Sequence, residues 1–193
     1  MAKTLHKPAV SPMISDSLLL EREEVQIMKF DDIAELKKQG FVGFETVAQL
    51  RASGCAEVSD KAGVYLVLRP DTEAPEFLAI STGGHFKGKN PTQEIQHLID
   101  RWVPESRLVY IGKAGDSMGK RTLRKRLREF VRFGAGENVA HWGGRFTWQL
   151  KDSENLIICW KPISEGNPRD IEKDLIESFR VQYLKRPFAN INA

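Results

Sequence analysis

The sequence predicts a domain that mixes strands and helices, either α+β or mixed α/β. Short apolar runs rich in β-forming residues, such as 63–68 and 107–112, are typical of strands. Other segments, such as 91–102 and 122–133, carry apolar residues three and four positions apart, which is typical of helices. The alternation of these two kinds of segment along the chain gives the fold class.

Size and composition favour a soluble globular protein. The 193 residues are 41% hydrophobic and 28% charged, which suits one domain, or one domain with a short arm. We expect no membrane helix, because no apolar run reaches about 18 residues, and no signal peptide, because no apolar segment follows the N-terminal charges. The two cysteines, Cys55 and Cys159, have no zinc-like spacing, which favours a reducing, cytoplasmic protein without structural zinc.

The first 60 residues are expected to form an N-terminal arm. Its beginning, 1–30, has the pattern of a short helix or strand. Residues 30–40 predict a capped helix, with aspartate at the start, lysines near the end and glycine as the stop. A second helix is predicted within 44–54.

The remaining elements follow from apolar patterning. Strands are predicted at 63–68, 76–82, 107–112, 146–150 and 156–160. The residues between the last two strands, 151–155, have the composition of a hairpin turn. Helices are predicted at 91–102, 122–133 and 168–184. In the first of them, Ile95, Leu98, Ile99 and Trp102 are expected to form one buried face.

The charge of the chain is concentrated in one segment. The net charge is +3, but residues 112–132 alone hold eight cations and two anions, so they carry +6 and the rest of the chain carries −3. A basic patch on a slightly acidic body is typical of a phosphate-binding protein. A solvated helix face would give the same pattern, so charge alone leaves nucleic acid binding open.

Five short motifs occur in a fixed order. Gly63-Val64-Tyr65 lies on one predicted strand and Val109-Tyr110-Ile111-Gly112 on another, followed by a basic helix with Arg126, a helix with Glu177, and Pro187-Phe188-Ala189-Asn190. This order resembles the GIY-YIG nuclease family. The local stretches 110–114 and 126–130 are similar to the nuclease domain of bacterial excision-repair endonucleases, and some type II restriction enzymes share this domain.

The resemblance covers residues 61–193 discontinuously and implies an α+β fold. A small, mostly antiparallel sheet would be flanked by helices, with 1–60 as an N-terminal helical arm outside it. The two motif strands would be separated by a long insertion, 70–106. Phe130 departs from the family, which often has a tyrosine or histidine at this position.

The resemblance also implies catalytic roles. Glu177 would hold Mg²⁺ or Mn²⁺, Arg126 would contact the phosphate, and Lys113 would supply positive charge. Tyr65 or Tyr110 would orient or deprotonate the attacking water, and Asn190 would hold a ligand or brace the site. A phenol has a pKa of about 10, so a base role requires a cationic environment.

The metal ligand has an alternative in the same helix. Glu177 ends the Glu-x-x-x-x-Glu stretch and has the spacing to Asn190 that the resemblance favours. Helical periodicity favours Glu172 instead, because Glu172 falls within the apolar stripe of the helix and would be partly buried. We take Glu177 as the expected ligand and keep Glu172 as the alternative.

Candidate nucleic-acid contacts come from two segments. Around the predicted helix 122–133, five cations are expected to face phosphate or solvent: Arg121, Arg124, Lys125, Arg128 and Arg132. Arg126 lies between this side and the core stripe of the helix. The loop 141–145 adds His141 and Arg145, either as substrate contacts or as a tight structural turn.

The resulting hypothesis is a Mg²⁺-dependent DNA endonuclease, with a homodimeric restriction enzyme as one candidate. A structure-specific repair or mobile-element nuclease of the same fold is a second candidate. A catalytically weak module that binds nucleic acid through the basic helix is a third. Duplex DNA as the partner is implied by the resemblance alone.

Overall fold

Four strands form one sheet in the computed structural model, which describes residues 28–115 and 120–191. They are β1 (Val42–Thr46), β2 (Gly63–Leu68), β3 (Leu108–Ala114) and β4 (Ile157–Pro162). The spatial order is β1, β4, β2, β3, and all neighbours are antiparallel. The α+β class with a small antiparallel sheet is therefore confirmed.

Five α-helices accompany the sheet in the described residues. They are α1 (Ile33–Lys38), α2 (Val47–Ala52), α3 (Ile95–Arg101), α4 (Leu123–Gly134) and α5 (Pro168–Tyr183). Side chains cap several of them: Asp32 caps α1, Thr122 caps α4, and Asn167 caps α5, whose first residue is a proline. No helix among residues 28–115 and 120–191 is long and apolar enough to cross a membrane.

The sheet is covered on both faces. Tyr65 and Val67 of β2 point into one apolar cluster, which also holds the core residues of α4. Val64 and Leu66 of the same strand point into a second cluster with Phe179 of α5. Alternation along a strand produces this division, and it explains why every residue of β2 is buried. α4 and α5 therefore lie on opposite faces of the sheet.

The register of β2 and β3 brings the two tyrosine motifs together. Tyr65 lies opposite Gly112, and Val64 lies opposite Lys113. The 38 residues that separate Leu68 from Arg107 leave and rejoin the strand pair at its other end, where the register shifts between Val67 and Leu68. The strands predicted at 63–68 and 107–112 are confirmed as β2 and β3, and they are neighbours in the sheet.

The segment expected as an N-terminal arm contributes to the sheet in its described part. β1 pairs with β4 at the edge of the sheet, and Phe30, Leu36 and Phe41 are buried in the cluster around α5. The helices predicted at 30–40 and 44–54 are confirmed as α1 and α2, but β1 between them was missed. The helix or strand expected in 1–30 falls almost entirely outside the described residues.

Two predicted strands are wrong. Residues 146–150 form most of a 3-10 helix, Arg145–Gln149, and 76–82 contributes only the single bridge from Phe77 to Leu150. The segment 151–155 is consequently no hairpin turn between strands and contains a short 3-10 helix, Ser153–Asn155.

The inserted helix α3 is confirmed, but its predicted apolar face is only half buried. Leu98 and Trp102 pack into the core, whereas Ile95 and Ile99 are exposed. The other two predicted helices are confirmed as α4 and α5.

Candidate active site

A cleft of about 910 Å³ opens where β3 meets α4 and the first turns of α5. Its lining includes five residues that sequence analysis singled out: Tyr110, Lys113, Arg126, Glu172 and Asn190. They come from β3, α4, α5 and the chain that follows α5. Tyr65 lies beneath the cleft, buried next to Tyr110. Residues spread over 125 positions are thus gathered at one end of the sheet.

Tyr110 lines the cleft, and Tyr65 packs beneath it. Their rings meet edge to face with centroids 5.9 Å apart. The Tyr65 ring lies directly over Gly112 on the neighbouring strand, and a Cβ atom on residue 112 would overlap this ring. The motif glycine is therefore required by the close approach of the Tyr65 ring, since its backbone dihedrals lie outside the left-handed region.

Burial determines the protonation of both phenols. It raises the pKa of Tyr65 well above its usual value of 10, and it raises the pKa of Tyr110, although the Arg126 guanidinium opposes both shifts. Both phenols are therefore protonated near neutral pH. This arrangement suits the donation of a hydrogen bond to water or phosphate, and it works against the alternative of a tyrosine base.

Arg126 is held between the core and the cleft. Its Nη1 donates to Glu129 Oε2 at 3.1 Å and to the carbonyl oxygen of Ala140 at 3.0 Å, and only 17% of its side chain is exposed. Burial alone would lower the pKa of Arg126, but the two tyrosines and Glu129 raise it. A fixed, permanently charged guanidinium at a cleft wall is suited to bind a phosphate.

His141 is not on the surface, contrary to its expected role as a nucleic-acid contact. The residue is fully buried, with its ring 4.8 Å from that of Phe130 and its Nε2 3.4 Å from Tyr65 Oη. Burial and the cations Arg126 and Arg121 hold the pKa of His141 well below 6.5. A neutral imidazole can exchange a hydrogen bond with the Tyr65 hydroxyl, in a direction that its tautomer decides, so His141 contacts this phenol from behind.

Lys113 and Glu172 form an ion pair in the cleft. The distance from Lys113 Nζ to Glu172 Oε2 is 3.1 Å, and 19% of the glutamate side chain is exposed. The pair joins the end of β3 to the second turn of α5. It places a carboxylate and an ammonium group next to Tyr110 and Arg126.

Asn190 braces the strand that carries Tyr110. Its Oδ1 accepts from the Ile111 N–H at 2.9 Å, and its Nδ2 donates to the Ile111 carbonyl at 2.8 Å. Ala189 adds a backbone bond to Val109. The segment after α5 therefore satisfies the outer edge of β3. Of the two roles expected for Asn190, this geometry corresponds to the brace.

Glu177 does not reach the cleft, and its expected position as metal ligand needs correction. It exposes 61% of its side chain and pairs with Arg180 at 2.8 Å. Five residues along an α-helix turn the side chain by about 140°, so Glu172 and Glu177 cannot face the same site. The periodicity alternative, Glu172, is the carboxylate that lines the cleft.

The described lining of the cleft offers one carboxylate, that of Glu172, as a ligand for a cation. No group of three or more His, Cys, Asp or Glu side chains that could hold a metal occurs among the described residues. Mg²⁺ is commonly bound through one or two carboxylates, retained waters and substrate phosphate oxygens. Glu172 could supply one carboxylate for such a site if its ion pair with Lys113 were broken.

Much of the basic face of α4 is already engaged within the fold. Arg124 pairs with Asp60 and donates to the Val58 carbonyl, while Arg128 donates twice to the Gly54 carbonyl. Arg132 pairs with Glu137. Arg124 and Arg128 thus bind residues 54–60 to the helix, while Arg124 and Arg132 neutralise nearby carboxylates. Arg121 and Lys125 are exposed near the start of the helix, where Lys125 donates to the Lys120 carbonyl.

Sequence reasoning missed two cations of the cleft, Arg169 and Lys173. Both could have been predicted to face the cleft if Glu172 had been taken as the site residue. Positions 169, 172, 173 and 176 are three or four residues apart and share one face of the helix. Arg145, expected as a nucleic-acid contact, is half-buried near the cleft and stacks over the Trp142 ring at 4.6 Å.

The chain matches no family model, no curated protein and no solved structure. The resemblance to GIY-YIG nucleases therefore stays a prediction that depends on the motif residues of this chain.

Proposed function

We propose that the protein is a metal-dependent nuclease that hydrolyses phosphodiester bonds, with duplex DNA as the substrate. The observation that carries the proposal is the convergence of Tyr110, Lys113, Arg126 and Glu172 in one cleft. Two further cations, Arg169 and Lys173, line the same cleft. Among the described residues, the cleft lining holds one carboxylate and four cations, which suits a polyanionic substrate better than a neutral or cationic one.

Each group has a role that its surroundings support. Arg126, charged and fixed by Ala140 and Glu129, would bind a nonbridging phosphate oxygen and offset the charge that develops there. Protonated Tyr110 would hold the attacking water or the phosphate through its hydroxyl. Tyr65, oriented by His141, would keep the Tyr110 ring in place.

Glu172 would hold Mg²⁺ or Mn²⁺. The cation, when bound, supplies charge stabilisation at the scissile phosphate and helps the leaving oxygen depart. Lys113 would position the carboxylate before substrate binds, and its ammonium group would then be released to a phosphate oxygen. Asn190 would act through the backbone of β3 rather than as a ligand.

The direct test is cleavage of long duplex DNA by wild type, Glu172→Gln and Glu177→Gln, with Mg²⁺ and with EDTA. The two variants remove the same charge from the same helix, but only Glu172 lines the cleft. We expect metal-dependent cleavage by wild type and by Glu177→Gln, and a loss of about 100-fold or more in Glu172→Gln. Equal cleavage by both variants would overturn the assignment of Glu172.

The fragments also separate the two nuclease candidates. A discrete set of bands from long DNA would indicate a restriction enzyme, for which a homodimer supplies a symmetric site. Preferential cutting of flaps or nicks would indicate a structure-specific nuclease.

A nucleic-acid-binding module without turnover is the second candidate function. It is favoured by the Lys113–Glu172 ion pair, which neutralises the carboxylate that the metal requires. Salt-sensitive DNA binding by wild type, without cleavage in either Mg²⁺ or Mn²⁺, would select this candidate over the nuclease.

A further inference from the structure

Two arginines from distant parts of the chain lie over one aromatic ring. Arg101, the last residue of α3, has its Cζ 5.7 Å from the centroid of Phe146, and Arg145 has its Cζ 4.9 Å from the same centroid. Arg145 also lies over Trp142 at 4.6 Å. Packing of the insertion against the 3-10 helix Arg145–Gln149 therefore places two cations against the same ring, close enough for the charge of Arg101 to act on Arg145.

Neither guanidinium has a carboxylate partner within the part of the chain that the structure describes. Arg101 donates to the carbonyl oxygens of Phe188 and Asn190, and Arg145 donates to that of Trp142. The Nε of Arg145 is buried without a hydrogen-bond partner among these residues. The ion-paired arginines of α4 lack this feature, since Arg124 and Arg132 each meet an acidic side chain.

The charged state of these arginines is disfavoured by burial and by neighbouring positive charge. Burial lowers the pKa of Arg145, and the charge of Arg101 lowers it further. Burial likewise lowers the pKa of Arg101, with a smaller effect from Arg186. Two neighbouring guanidinium groups that are partly dehydrated and lack a counter-charge form a strong anion-binding arrangement.

The arginine pair adjoins the wall of the cleft. Arg101 Nη2 holds the Asn190 carbonyl at 3.0 Å, and Asn190 lines the cleft. Gly143, which also lines it, lies two residues before Arg145. An anion bound by the pair would therefore lie beside the groups that we assign to catalysis.

We propose that Arg101 and Arg145 form a second phosphate-binding subsite, which holds the nucleic-acid backbone next to the cleft. The inference rests on the proposed function, because it names the class of substrate that this function requires. Guanidinium groups bind phosphate oxygens in a forked geometry, and the Trp142 and Phe146 rings fix the orientation of Arg145. Such a contact sets the position of the strand and reads no base.

The test is equilibrium binding of a fluorescent 20-base-pair DNA duplex in EDTA, followed by anisotropy over a range of salt concentrations. Arg101→Gln and Arg145→Gln are compared with Arg180→Gln, which removes an exposed cation of α5 that is paired with Glu177. We expect each of the first two to weaken binding about tenfold and to reduce the salt slope by about one unit. Binding by both variants that equals that of Arg180→Gln would overturn the subsite.

A charge-conserving variant separates phosphate contact from a structural role. Arg145→Lys should keep the salt slope of wild type while binding more weakly, because lysine retains the charge and loses the fork. If Arg101→Gln does not fold, Arg145→Gln decides the test, since Arg145 makes one hydrogen bond to the described residues and Arg101 makes two. A folded Arg145→Gln with wild-type affinity and slope would refute the proposal.

Failure of the subsite and failure of the nuclease are distinguishable, because the binding assay excludes metal and turnover. Arginine-dependent binding without cleavage by wild type would retain the subsite and reject the nuclease. Normal cleavage together with unaltered binding by the glutamine variants would retain the nuclease and reject the subsite.

Discussion

Lys113 and Glu172, which both line the cleft, are joined by an ion pair of 3.1 Å between β3 and α5. The lysine follows the second tyrosine motif, and the glutamate comes from the opposite wall. The pair holds the one carboxylate that we assign to metal binding in place. A metal bound at Glu172, as we propose, would have to compete with Lys113 for this carboxylate, so we expect Lys113 to lower the metal affinity of the site.

Removal of Lys113 should tighten metal binding. Lys113→Met keeps the length of the side chain but frees Glu172, and a partly exposed ion pair contributes about 0.5–1 kcal/mol. We expect a Kd for Mn²⁺ or Mg²⁺ about two- to fivefold lower in calorimetric titration. Cleavage at saturating metal should fall, because the ammonium group is lost.

The control is Lys151→Met, which breaks an exposed pair with Glu76 outside the lining of the cleft. It should leave the metal affinity unchanged. A lower affinity in Lys113→Met than in wild type would contradict the competition and would indicate that the pair organises the site.

The buried His141 should make the protein less stable in acid. Its folded pKa lies well below the value of about 6.5 that an unfolded histidine has. The unfolded chain therefore takes up a proton that the folded chain refuses. Above pH 6.5 this group does not reduce the free energy of unfolding. As the pH falls below 6.5, the free energy of unfolding decreases by about 1.4 kcal/mol per pH unit.

Urea unfolding at pH 7.5, 6.0 and 5.0 measures this loss. His141→Gln should be less stable at pH 7.5, because the Tyr65 hydroxyl loses its fitted partner, and its stability should fall less steeply with acid. His85→Gln, which changes an exposed histidine, should retain the wild-type dependence. A wild-type slope in His141→Gln would rule out His141 as the source.

The central strands and the two long helices could be predicted because local pattern and tertiary packing agree there. β2 is apolar at each position and buried on both faces, and α4 carries its apolar residues on one side. The 3-10 helix Arg145–Gln149 could not be predicted from its pattern. Residues 146–150 alternate apolar and polar side chains, which predicts a half-exposed strand, but all five are buried. Thr147 donates to the Gly144 carbonyl and Gln149 donates to the carbonyls of Leu78 and Gln93, and the pattern does not show these partners.

The edge strand β1 was missed for a different reason. It contains Gly43 and Phe44, both with positive φ, and its register shifts between Gly43 and Glu45. An irregular, half-exposed strand of this kind forms because β4 offers it a pairing edge. That information lies more than 100 residues further along the chain.

The site could be predicted in part. Motif order identified Tyr65, Tyr110, Lys113, Arg126 and Asn190 as neighbours. It favoured Glu177, which does not line the cleft, because spacing to Asn190 does not measure distance across the turn that follows α5. This helix ends at Tyr183, and the next residue, Leu184, caps it in a left-handed conformation. Periodicity within the helix was the better guide to Glu172, since it depends on local geometry alone.

Loss of the Asn190 amide should weaken the fold more than it weakens metal binding. Asn190→Ala leaves the Ile111 N–H and carbonyl without their partners in a buried position. We expect a loss of about 2–4 kcal/mol in the free energy of unfolding by urea. The exposed Asn155→Ala serves as the control and should change it little.

Metal titration of Asn190→Ala below its unfolding midpoint completes this test. A Kd within about twofold of wild type agrees with a brace. Unchanged stability together with a strongly weakened metal affinity would instead make the Asn190 side chain a ligand.

The contact between Gly112 and Tyr65 should appear as an energetic coupling. Gly112→Ala would force a methyl group into the Tyr65 ring, which we expect to cost about 1–3 kcal/mol of folding stability. In a Tyr65→Leu background the ring is absent and the added methyl group has room. The same substitution should then cost much less, with a coupling energy of about 0.5–3 kcal/mol between the two positions.

Urea unfolding of wild type, both single variants and the double variant closes this cycle. The backbone of Gly112 allows alanine, so the predicted cost arises from the ring alone. An equal cost of Gly112→Ala in both backgrounds would mean that the strand pair, and not the tyrosine, demands glycine. Coupling would show that the second motif is glycine because the first motif is tyrosine, which ties both motifs to one packed arrangement beneath the cleft.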